Sequence, residues 1–149
     1  MTDHEFLKHV ENKTLPPAQF NHNGHLRLAF ILNKQFSSAK ATQEVVRLIK
    51  GYAENLGATS KFHVTLTCAL CYFIFQRMER AQKTQSLAEF MVINSDLISE
   101  APILLRSFYH EATLYSDDAR LGFIPPDKQI IPEPYLSIFN TLEVSVCIP

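Results

Sequence analysis

Apolar residues recur at helical spacing along most of this chain, and alternation with period two is nowhere sustained, so the pattern predicts an all-α fold. The strongest run is Phe62, Leu66, Ala69, Leu70, Phe73 and Ile74. It makes a wide apolar face on a helix predicted from about Ser60 or Lys61 to about Arg80, and that width marks the helix as the central one. Upstream, Phe6, Leu7 and Val10 share one face of a short helix over Asp3 to Glu11, capped by Thr2 or Asp3 and ended by Pro16-Pro17. A second helix runs from Asn21 or Asn23 to about Phe36, with His22, His25, Ala29, Leu32 and Phe36 on one stripe that Leu28 widens. Ser37-Ser38 opens a third, with Val45, Leu48, Ile49 and Tyr52 inward and Gly57 as the stop.

Past the central helix, Lys83-Thr84-Gln85-Ser86 reads as a loop and cap. A fifth helix covers about Leu87 to Ile93, Asn94-Ser95-Asp96 breaks it, and Pro102 suits the first turn of a sixth that ends near Tyr109. Ser116-Asp117-Asp118 caps about one further turn, and Gly122 to Asp127 is a turn-rich loop. The expected architecture is one domain over residues 1–149, an up-down bundle of about five to six helices with an irregular tail over about 128–149.

The histidines give this pattern a chemical reading. Short loops make consecutive helices antiparallel, so the second and fourth run parallel with their N-terminal ends together. His22, His25 and His63 all fall in those first turns on positions read as inward. Three neutral imidazoles in one pocket are a ligand set for zinc or iron with an open position, which activates water or polarises a carbonyl. Arg27, one turn on, is a candidate for holding an anionic substrate group, Thr67 for lining the pocket, and Tyr109 for donating a proton. The preferred reading is thus a small metal-dependent enzyme acting on a small anionic substrate. Two readings stand beside it. One is a metal-free module that binds a small ligand in the same pocket. The other is an interaction protein with structural histidines, whose apolar tail docks on a partner or a second copy to form a homo-oligomer. H-x-x-H spacing alone does not choose among them.

Composition narrows the partners. With 149 residues, a formal net charge of −1 and no basic block, the chain carries no electrostatic footprint for nucleic acid or an anionic membrane. The apolar run around Cys68 to Phe75 is too short to span a bilayer, and Met1 to Glu5 has no export-signal character, so the expected location is the cytoplasm. Three cysteines, an odd number, agree with a reducing compartment. Cys68 and Cys71 have C-x-x-C spacing but sit mid-helix in apolar company, which predicts buried, inert thiols. His4, His9 and His110 read as surface residues, and Arg120 with Asp127 as a pair pinning the late loop.

Three segments carry a resemblance. Phe20-x-His22-x-x-His25-Leu26-Arg27-Leu28-Ala29, then Lys61-Phe62-His63-x-Thr65-Leu66-Thr67, then Ala119-Arg120-x-x-Phe123-x-x-Pro126-Asp127 resemble a family of small uncharacterised bacterial proteins, with Phe30 where that pattern has Trp. The likeness covers Met1 to Asp127. It implies no reaction. It does group Arg27, His63, Thr67, Tyr109, Arg120 and Asp127 with His22 and His25 as one set.

Overall fold

The computed structural model describes residues 1–81 and 85–144. Lys83 and Thr84 of the predicted loop, and the end of the tail with Cys147, lie outside the described residues. Regular structure among the described residues is helical throughout. The helices are α1 (Asp3–Glu11), α2 (His22–Gln35), α3 (Ser38–Asn55), α4 (Val64–Arg80), α5 (Leu87–Ile93), α6 (Asp96–Ser99), α7 (Ala101–Phe108), α8 (Glu111–Leu114), α9 (Asp117–Leu121) and α10 (Tyr135–Asn140), with tight single turns at Pro17–Gln19 and Thr59–Lys61. Among the described residues ten helices stand where the periodicity predicts five to six, because α6, α8, α9 and α10 are too short to show a period.

Most helix starts follow local chemistry. Thr2, Asn21, Ser37, His63, Ser86 and Ser116 each accept the backbone N–H three residues on, satisfying a donor that the first helical turn leaves unpaired. Thr2 and Glu5 complete the reciprocal capping box. Gly57 ends α3 at φ 68°, a backbone state natural to glycine. Gly24 is required by contact instead: a Cβ there would lie 2.4 Å from the Gln19 carbonyl oxygen, so the turn before α2 crosses directly over its first coil.

The core forms around α4. Val64, Thr65 and every residue from Thr67 to Phe75 are buried, so this helix is enclosed on all sides over most of its length. α2 and α3 pack on each other and on α4, α1 lies on α3, and α9 lies on α4. α10 occupies a stretch expected to be irregular. It packs on α3 and buries Tyr135 and Phe139; Phe139 meets Phe123, and the Tyr135 hydroxyl donates to Glu79 on α4. Six residues that follow Pro132 and Pro134 carry too little pattern to predict a helix, and burial of two aromatics stabilises it.

Two boundaries bear on the histidines. α4 begins at Val64, so His63 is its extended cap rather than a member of its first turn. The buried side of α2 is Leu26, Leu28 and Ala29 to Leu32, which leaves His22 exposed and His25 half-buried. Of the stripe read through both histidines, Ala29 and Leu32 are buried where α2 packs against α3 and α4, while its ends at His22 and Phe36 are exposed.

Candidate functional site

His63 is held by both ring nitrogens. Its Nδ1 accepts the Leu66 N–H at 3.0 Å, and its Nε2 lies 2.7 Å from the Leu114 carbonyl oxygen, a separation at which Nε2–H donates. That pattern requires the neutral ring. Its pKa is lowered from the ordinary value, first by burial and then by the charge of nearby Arg120 against the opposing pull of the Leu114 bond. His22 donates Nε2–H to the Leu97 carbonyl at 2.7 Å. His25 packs edge-on against Phe20 with ring centroids 4.5 Å apart, and its pKa falls to about 4, mainly through burial and secondarily through His22.

The donor set does not match the expected metal site. A three-histidine zinc or iron centre needs one lone pair from each ring aimed at one point. His63 spends both nitrogens on backbone partners, leaving a His22–His25 pair on one turn of α2. Among the described residues no group of three His, Cys, Asp or Glu is disposed to hold a metal ion.

The other candidates bind the protein to itself. Arg27 donates from Nε and Nη2 to Asp3 Oδ1 and from Nη2 to the Met1 carbonyl, and its guanidinium lies over the Phe6 ring at 4.5 Å. The Thr67 hydroxyl donates to the His63 carbonyl one turn back at 2.7 Å. Tyr109 is buried; its hydroxyl donates to the Ile124 carbonyl at 2.6 Å, and burial raises its pKa, which suits a fixed donor. Thr65 holds the same loop, donating to the Gly122 carbonyl and accepting from the Ile124 N–H. Asp127 does not pair with Arg120. It accepts from the His110 backbone N–H, from His110 Nδ1 and from the Thr113 hydroxyl, and these bonds hold its pKa down to about 2. Cys68 and Cys71 are free and buried, with burial pushing Cys68 up to about 12 and Cys71 well above its ordinary value.

What the fold does assemble beside His22 is an apolar cleft of about 360 Å³. Leu66, Leu70 and Phe73 of α4 form one wall. Ile98 of α6 and Ala101, Pro102 and Leu105 at α7 form the other, and Tyr115 stands at the mouth. His63 touches this wall through Tyr115, their rings at 6.5 Å. The α6 side is fixed from behind: Arg77 on α4 makes a two-pronged pair with Asp96 at 2.6 and 2.7 Å, and His22 holds the next carbonyl. Sequence reading assigns Leu66, Leu70 and Phe73 to the core, and no local signal marks them as cleft residues, since an apolar face looks the same whether a neighbour or a cavity lies over it.

No family model, curated protein or solved structure matches this chain.

Proposed function

We propose that this protein is a metal-free binding module for a small, largely apolar molecule, taken up between α4 and the α6–α7 segment with His22 as its polar contact. The observation that carries the reading is the cleft itself. Its size lies within the range of small-ligand sites, its walls are apolar, and a single imidazole meets it. The His22 Nε2–H is engaged by Leu97, so Nδ1 remains to accept a hydrogen bond from a bound molecule. The same reading takes α2, α3 and α4 as an up-down bundle that brings the starts of α2 and α4 to one end, supported by the shared lining of His22 and Leu66. It assigns the protein to the cytoplasm, supported by the free thiols of Cys68 and Cys71. No described helix is long and apolar enough to cross a membrane.

The test is titration of 1-octanol, followed through the methyl resonances of Leu66, Leu70 and Leu105. Saturable shifts confined to these residues are expected. Ala101→Phe, a half-buried position at the cleft, should abolish them while leaving the thermal midpoint in place. Wild type that shows no saturable shift with 1-octanol overturns the reading.

A further inference from the structure

A second cleft of about 380 Å³ adjoins the first. Ile98 lines both. His22 lines the first, while its chain neighbours Asn21 and Asn23 line the second. The two therefore meet along a seam formed by Ile98 and the start of α2. Their chemistry differs. The first is walled by Leu, Phe and Pro side chains. The second is lined by the polar residues Gln19, Asn21, Asn23 and Arg27 together with Phe6, Leu87 and Met91, and the Arg27 guanidinium lies over the Phe6 ring.

We propose that the two clefts form one bipartite site for an amphipathic monoanion, a carboxylate on a short apolar chain, with the chain in the first cleft and the carboxylate at Arg27 in the second. This rests on the binding reading above and specifies its ligand class. Arg27 is suited to the role by its setting. Stacking on Phe6 at 4.5 Å and half-burial hold the guanidinium in one orientation, so little freedom is lost on binding. Nε and Nη2 are committed to Asp3 and the Met1 carbonyl, and Nη1 faces no such bond among the described residues. Asp3 is the carboxylate that competes for Arg27. Its side chain is 57% exposed, so it turns to water at little cost when a ligand carboxylate arrives. The amide side chains of Gln19 and Asn23 supply neutral donors, which accept an anion without the repulsion that a further carboxylate would add. Along the seam, Ile98 gives the chain an apolar surface to cross.

The experiment compares octanoate with 1-octanol at pH 7.5 by titration calorimetry and by the methyl shifts of Leu66, Leu70 and Leu105. Octanoate is expected to bind about tenfold more tightly than 1-octanol, as a charge-assisted bond would give, and to lose that advantage in high salt and in Arg27→Gln. Because Arg27 also supports α1, Gln19→Glu serves as a second variant. It lies on the exposed rim, leaves Arg27 in place and should weaken octanoate while leaving 1-octanol unchanged. Equal binding of the two probes, with neither variant discriminating between them, overturns the bipartite site and leaves the apolar cleft standing. Binding of neither probe overturns both.

Discussion

His63 and Leu114 are joined by a 2.7 Å bond from the imidazole to the carbonyl, and this bond ties the cap of α4 to the last residue of α8. One ring therefore closes two ends at once: Nδ1 satisfies an orphan amide of α4, and Nε2–H satisfies a carbonyl fifty-one positions away.

His63→Ala removes the cap and leaves the Leu114 carbonyl without its donor. Caps are worth about 1 kcal/mol and an unsatisfied polar group about 1–3, so the loss should be roughly 2–4 kcal/mol in chemical denaturation. His63→Asn restores only the cap and should recover about 1 kcal/mol. Metal content measured on the purified proteins should be the same in all three. A drop in bound metal on loss of His63, with stability unchanged, would contradict the structural role.

Stability should fall on mild acidification. The native His25 imidazole titrates near about 4 against an ordinary 6.5, and His63 is displaced in the same direction. Both are held neutral in the fold, so below 6.5 the unfolded chain takes up protons that the native chain refuses. The contribution is complete above 6.5 and is lost as the pH falls toward about 4, to roughly 3 kcal/mol for His25. Denaturation midpoints at pH 7.5, 6 and 5 should decline in that order, and His25→Phe, which keeps a ring against Phe20, should flatten the profile. A midpoint constant from pH 7.5 to 5 would refute the assignment.

Cys68 and Cys71 should resist alkylation in the native protein. Both thiols are buried on α4 and neither is poised as a thiolate, so iodoacetamide should label them only after denaturation. Peptide mass spectrometry locates the label, and native modification of either residue would contradict the burial of both thiols on α4.

Gly24→Ala should be costly although alanine is the better helix former. Its Cβ would press on the Gln19 backbone at 2.4 Å, a carbonyl that cannot move without shifting the turn at Pro17–Gln19. A loss of roughly 1–3 kcal/mol is expected. Because that turn also carries part of the second cleft, octanoate binding should weaken with it, and Asn23→Ala on the exposed neighbour should leave stability nearly unchanged.

By itself the sequence determined the helical class, the course of α1 to α5 within a few residues and the burial of the α4 thiols. Those features follow from local causes: a 3.6-residue apolar period, cap residues three positions before an amide, and prolines that stop a helix. Only the tertiary structure decided what the histidines face. The periodicity of α2 placed His22 and His25 on the inward stripe with Leu28, Ala29 and Leu32; the fold buries those three along with Leu26, Phe30 and Ile31, but leaves His22 exposed and His25 half-buried at the start of the helix. At His63 the decision came from farther away. Leu114 supplies the carbonyl that fixes the ring, and its sequence neighbours are apolar or exposed residues of a four-residue helix with no legible pattern. The cleft beside His22 is likewise a product of the fold. Its walls come from α4, α6 and α7, and each reads in the sequence as one half of an ordinary apolar contact. Periodicity shows which side of a helix is apolar; whether a side chain or a cavity meets that side depends on where distant segments come to rest.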